Sequence, residues 1–246
     1  MSLLKFSAGT VVAPRLFARP LASDSDDTAQ LYKRAVVMDS LCSPFGHLDT
    51  SPSTELLATV QQSGITAINC TVSERTLDGT LENLASLEAL AEKYPDAFAI
   101  VRKHSDIALA KKERKLGILP GFQDTAFFEE NPERIDIFRN LGVRIMQLTY
   151  NNSSVFGDGC LEPENAGLSK AGIAAVNKMN EIGVAVDLSH SGYRTTSEGI
   201  ATSTKPVLIS HSGCAAVYPH PRSKPDEILK SLADRGGYFG VYLMPK

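Results

Sequence analysis

The chain has 246 residues, 43% of them hydrophobic, and a formal net charge of −3 with a pI near 6.0. That length suits one α/β barrel or two small domains, and the lack of any basic patch excludes nucleic acid as a partner. No run of 18 apolar residues occurs, so no transmembrane helix is expected. The four cysteines (Cys42, Cys70, Cys160, Cys214) are scattered without a CxxC pair, which implies neither a zinc finger nor a disulfide scaffold.

The N-terminal stretch MSLLKFSAGTVVAPRLFARPLASDSDD differs from the rest. Its lysine, mildly apolar small-residue run and acidic end read either as the remnant of an export signal or as a plain arm. A signal would start the mature protein near Ser23 and place it in the bacterial periplasm; an arm would leave it cytoplasmic. The expected organisation is therefore an arm over 1–30 and a barrel domain over 31–246.

From there regular elements follow in order. An apolar run at 35–41 reads as a strand. A helix at 53–62 opens on Ser53, and a strand follows at 65–72. A helix at 81–93 carries Leu and Ala at helical spacing. A short run at 98–101 is either a strand or a loop segment. His104 stands at the start of a solvated helical stretch, before a strand at 116–122. A helix at 132–141 precedes a strand at 143–150, and a helix at 171–182 precedes a strand at 184–190. A strand at 207–212, a helix at 225–234 and a strand at 237–243 complete the series. Strands alternating with helices mean βα units and a parallel sheet, and apolar strands without strict alternation suit a sheet buried on both faces. Seven or eight units fit a (β/α)8 TIM-type barrel better than an open sheet, with the chemistry at the C-terminal strand ends.

Polar residues gather at those ends. Two runs, VAVDLSH and PVLISHSG, each finish in Ser-His, placing His190 and His211 where two imidazoles could share a metal. Each could equally cap its strand and bond to loop backbone. Asp187, on the first of these strands, could act with the two histidines in a different barrel hydrolase or be a buried strand residue. Arg222, in the loop after the second, could hold a carboxylate with its guanidinium fork.

These segments together resemble the membrane (renal-type) dipeptidases. That family shows a D-L-S-H strand end, then S-H-S, then H-P-R-N-x-P-D, matched here by DLSH, SHS and HPRSKPD. LGVRIMQLTYNNSSVFGDG and KLGILPGFQD resemble two further family segments, so the likeness runs over about 30–243. It implies an α/β (β/α)8 barrel and, in active members, a binuclear zinc site that hydrolyses dipeptides. Residue by residue, His190 and His211 match the two histidine ligands of one zinc, and Arg222 matches the arginine that binds the substrate carboxylate.

The remaining positions depart from the pattern. The bridging glutamate falls on Gln123, and the His and Asp ligands of the other zinc fall on Leu41 and Ser43. The substrate-contacting histidine falls on Tyr150, leaving Tyr150 and Arg222 as the expected substrate contacts. The last strand, with its aspartate, is missing from these 246 residues, so the expected barrel is incomplete at its C-terminus. His47 and Asp49 form a His-x-Asp six residues late, Asp124 lies beside Gln123, and Cys42 is a thiol near the first strand end; all four are alternative ligands. The expectation is one zinc held by His190, His211 and Gln123, with a second zinc disfavoured. The partners implied are a small dipeptide-like substrate and a second copy in a homodimer. The reading is a metallodipeptidase-type hydrolase, against a barrel that binds a carboxylate ligand without turnover.

Overall fold

The structure is a computed structural model, and it describes residues 25–44, 50–128, 131 and 133–242. The chain divides into two compact units, one ending at Val36 and one beginning at Val37. In the first unit the described element is helix α1 (Ser25–Arg34), so ordered helix begins inside the segment expected to be an arm.

The second unit alternates strand and helix throughout. Its elements are β1 (Met38–Asp39), α2 (Thr54–Ser63), β2 (Ala67–Thr71), α3 (Leu77–Lys93), β3 (Phe98–Ile100), α4 (His104–Glu113) and β4 (Leu116–Phe122). They continue through α5 (Arg134–Asn140), β5 (Ile145–Gln147), α6 (Lys170–Ile182), β6 (Ala185–Asp187), α7 (Tyr193–Thr202), β7 (Leu208–Ser212), α8 (Asp226–Asp234) and β8 (Tyr238–Val241). All strand pairs are parallel, in the order β1-β2-β4-β5-β6-β7-β8, with β3 paired to β4 off that path. The short run 98–101 is thus a strand, and the sheet is the curled, incomplete (β/α)8-type barrel that the sequence implies. Among the described residues no ladder joins β8 to β1, although the Ser40 hydroxyl donates to the Ser210 carbonyl at 2.5 Å and ties the end of β1 to β7.

Local chemistry sets the helix ends. Ser53 caps α2 by accepting from the Leu56 amide, and Gly64 ends it at φ 69°, a left-handed conformation that glycine adopts without a Cβ clash. Thr76 caps α3 through the Gly79 amide, starting that helix four residues before its apolar spacing becomes visible. Helix α7 begins at Gly192 with no side-chain cap and carries the weakly helical run TTSEG, which is why its pattern is not legible in sequence.

The core lies between the sheet and its helices. Ile68, Cys70, Phe122, Met146, Leu148, Val186, Leu188 and Ile209 pack there with Leu84, Leu87, Leu90, Val176 and Met179 of the helices. Successive strand residues point to opposite faces, so the intervening Asn69, Gln147, Asp187, Ser189 and Ser210 line the other face of the sheet, and they too are buried. The sheet is buried on both faces, as expected, but its inner face is polar rather than apolar. Crowding at the centre is tight: a Cβ on Gly121 would sit 2.0 Å from Asn69 Oδ1, so only glycine leaves room for that amide. Phe122, Phe127 and Phe138 meet edge-to-face with centroids 4.9–5.4 Å apart and secure the end of β4.

Candidate active site

The strand ends of β6 and β7 bring the two histidines together. His190 Nε2 and His211 Nε2 lie 2.9 Å apart, and both rings are largely buried. The hydrogen bonds on the opposite ring nitrogens decide which nitrogen carries the proton. His190 Nδ1 sits 2.7 Å from Asn151 Oδ1, which can only accept, so Nδ1 bears the hydrogen and Nε2 is left with a lone pair. His211 Nδ1 sits 2.8 Å from Ser210 Oγ, while that hydroxyl donates its single proton to Asp187 Oδ2 at 2.5 Å. Ser210 must therefore accept from His211 Nδ1–H, which leaves Nε2 of His211 with a lone pair as well. Burial, with Arg222 second, pushes the His190 pKa down to about 2; burial pushes that of His211 down to about 4, against the opposing pull of Asp187. Both rings are neutral at physiological pH, the form that ligates a metal.

Gln123, one residue beyond the end of β4, completes the cluster. Its Oε1 accepts from the Thr71 hydroxyl at 2.9 Å and its Nε2 lies 3.2 Å from His211 Nε2, donating into that lone pair. Tyr150 stacks on the His190 ring with centroids 4.1 Å apart and planes 22° apart. These four expected residues thus form one chain of contacts, from Gln123 through His211 and His190 to Tyr150.

Arg222 is buried and braces both strand ends. Its Nη1 donates to the Ser189 carbonyl and its Nη2 to the His211 carbonyl at 3.1 Å, while the guanidinium lies 5.8 Å from the centre of the Tyr242 ring. Lys224 is fully buried beside it, donating to the Ser191 carbonyl at 2.6 Å and Thr196 Oγ1 at 3.1 Å; burial, then Arg222, pushes its pKa down to about 7. Sequence reasoning passed over Lys224, Asn151 and Ser210. For Asn151 a signal existed, because it directly follows Tyr150 at a strand end.

The other half of the site is different. Leu41 and Ser43 stand at the end of β1, and neither carries a nitrogen or charged ligand in its side chain. Burial, then Asp39, pushes the Cys42 thiol up, which disfavours the thiolate a metal would need. Asp124 lies past the strand end, as a substitute for Gln123 would have to, but its Oδ1 accepts from the Ala126 amide at 2.9 Å and closes a local turn. His47 and Asp49 lie outside the described residues. Among the described residues no group of three or more His, Cys, Asp or Glu side chains is placed to hold a metal ion.

A cavity of about 490 Å³ opens beside this cluster, lined by Gln123 and Tyr150 together with Thr71, Glu74, Arg75 and Asp124. It is room enough for a small peptide. Arg222 is not among the residues lining it. No helix among the described residues is long and apolar enough to cross a membrane.

Comparison with known proteins points in one direction. The profile of the family described as membrane dipeptidase (peptidase family M19) matches residues 44–246. Dipeptidase verJ of Clonostachys rogersoniana is 32% identical over 173 residues, covering 70% of this chain and 45% of its own length. A crystal structure of an amidohydrolase from Pseudomonas aeruginosa superposes with a TM-score of 0.80 at 38% identity, covering 87% of this chain and 64% of that one. A metallopeptidase from Rhodobacter sphaeroides, solved with a phosphinate mimic of the dipeptide L-Ala-D-Ala, shares the fold at a TM-score of 0.67 and 17% identity, over 84% of this chain and 73% of that one. The chain therefore spans less than half the length of the curated dipeptidase and just under two thirds of the amidohydrolase.

Proposed function

The chain belongs to the membrane dipeptidase family, peptidase family M19, and from that premise we propose that it is a dipeptidase-type hydrolase built around one metal ion rather than two. The observation that carries the reading is the pair of Nε2 lone pairs facing each other at 2.9 Å. Two acceptors at that separation repel unless a cation lies between them.

The residues fit one zinc. Two imidazoles on a tetrahedral zinc, each about 2.0–2.1 Å from it, hold their nitrogens roughly 3.3 Å apart, a small opening from the present separation. Gln123 would supply Oε1 as the third donor, and the Thr71 hydroxyl, able to donate or accept, can bond to either end of that amide. They do not fit two. Leu41 and Ser43 stand where the family places charged or imidazole ligands, and the amide of Gln123 brings no negative charge to a bridge.

When bound, the metal would lower the pKa of a water and polarise the scissile carbonyl. The chain's own residues do the rest. Asn151 and Ser210 hold the two rings in their ligating tautomers. Tyr150 presents its ring to one side of the cavity and contacts the substrate there. Arg222 fixes the β6 and β7 ends by two of its donors, and its remaining N–H groups are the proposed contact for the substrate carboxylate. The substrate class that suits this room is a dipeptide or a related small amide. Export to the bacterial periplasm and a homodimer complete the proposal; the lysine and small-residue run before Ser23 support the former, and N-terminal sequencing and sedimentation test the two.

A second reading has one observation in its favour. Gln123 Nε2 donates into the His211 lone pair, so the cluster is partly satisfied without a metal, as a ligand-binding family member without turnover would need. Hydrolysis of a dipeptide panel, with and without a chelator, separates the two. Chelator-sensitive turnover supports the hydrolase. Ligand-dependent stabilisation without turnover, unchanged by chelation, supports the binding protein.

A further inference from the structure

Asp187 ends β6 with no exposed surface and accepts four hydrogen bonds: the Ser189 amide at 3.0 Å, the Ser189 hydroxyl at 2.5 Å, the Ser210 amide at 3.2 Å and the Ser210 hydroxyl at 2.5 Å. Among the described residues no lysine or arginine forms an ion pair with it. Arg222 and Lys224 act on this carboxylate only through space, and a buried carboxylate without a direct ion pair depends on a complete cage of hydrogen-bond donors, which it has here. Two of those donors lead onward. The Ser210 hydroxyl bonds to His211 Nδ1, and the Ser189 hydroxyl accepts from the His211 backbone amide at 3.2 Å. The carboxylate therefore grips both the ring and the backbone of His211 through one hydroxyl each. His190 has no such relay, because its Nδ1 meets the neutral amide of Asn151 directly.

We propose that Asp187 is a positioning residue that works through the Ser210 hydroxyl: it holds His211 as the Nδ1–H tautomer and turns the Nε2 lone pair toward the metal position. The proton count admits one arrangement. Each serine hydroxyl has one proton, both go to Asp187, and the only proton left for the Ser210–His211 contact is the one on Nδ1. Metal-ligating histidines generally give their other N–H to an acceptor of this kind, and the relay delivers a carboxylate's effect across a strand gap that Asp187 does not itself span. The value of the relay to metal binding rests on the one-metal reading; the tautomer assignment does not.

The test is to record the side-chain nitrogen resonances of His211 in the metal-free protein and to titrate zinc into the same variants. Wild type should show the Nδ1–H form. In Asp187→Asn, the new amide can donate to Ser210, whose hydroxyl then donates to Nδ1, so His211 should change to the Nε2–H form and zinc affinity should fall about 10–100-fold. Ser210→Ala should weaken zinc binding to a similar degree, and Ser210→Thr, which keeps the hydroxyl, should restore both tautomer and affinity. The serine pair decides the matter if Asp187→Asn does not fold. An Nε2–H form in wild type, an unchanged tautomer in Asp187→Asn, or equal behaviour of the alanine and threonine variants would overturn the inference. Wild type in the Nδ1–H form that takes up no zinc would instead sink the one-metal reading and leave the tautomer relay standing.

Discussion

The two sides of the barrel mouth solve the same problem in opposite ways. On the β6–β7 side the polar groups are interlocked: Asp187, Ser189, Ser210, both histidines, Asn151, Arg222 and Lys224 each have hydrogen-bond partners. On the β1–β2–β4 side the expected ligands are replaced by Leu41 and Ser43, and Asn69 Oδ1 is buried with no partner among the described residues. A metal ligand seldom works alone, because the groups behind it fix its tautomer and direction. Where the ligands persist, the groups that orient them persist, although Ser223 Oγ and Gln147 Oε1 on that side are, like Asn69 Oδ1, buried without a partner among the described residues. Where the ligands are gone, nothing comparable among the described residues stands behind Leu41 and Ser43.

The largest effect separating the sides should come from removing a ligand. His211→Ala should weaken zinc binding by more than about 100-fold, whereas Leu41→Ala should leave it unchanged; competition titration against a chromogenic chelator reads both. Equal losses would break the comparison. Rebuilding the lost side is the converse. The triple substitution Leu41→His, Ser43→Asp and Gln123→Glu should raise metal uptake by one equivalent in elemental analysis. No gain would mean that the support behind those positions, and not only the ligands, has gone.

A smaller effect is expected from the brace. Arg222→Ala leaves the Ser189 and His211 carbonyls without their donor and should cost about 2–4 kcal/mol in denaturant unfolding. Per residue, the smallest is a pH dependence of the metal-free protein. Folded His190 and His211 titrate near 2 and 4, while unfolded histidine titrates near 6.5. Between those values the unfolded chain binds the protons and the folded one does not. The contribution of each is therefore complete above about pH 6.5 and is lost as pH falls, toward 4 for His211 and toward 2 for His190, by roughly 2 kcal/mol per histidine at pH 5. His190→Gln should flatten the slope measured by thermal unfolding, and an unchanged slope would assign it to other groups.

Much of this architecture could be read directly from residues. The stretch 116–122 reads as a strand and is one to the residue, because LGILPGF is an unbroken apolar run. The reading of 35–41 shortens to Met38–Asp39, since an apolar run shows neither burial, Val36 and Met38 being exposed, nor where a partner strand is near enough to pair. Helix α7 escaped notice for want of a cap and an apolar stripe. At the site, the two Ser-His strand ends legible in the sequence carry the imidazoles whose Nε2 atoms lie 2.9 Å apart. Asn151 lies 39 residues from its histidine partner and Asp187 lies 23 from Ser210, so no local pattern links them. The polar inner face was also missed, although DLS and ISHS already alternate.

The central claim is the count of metal ions. Zinc titrated into the purified protein, followed by calorimetry and checked by elemental analysis after dialysis, should saturate at one equivalent per chain, and that equivalent should disappear in His190→Ala. Two equivalents would show that His47, Asp49 or another group restores the binuclear site; none would show that the facing imidazoles serve something other than a metal.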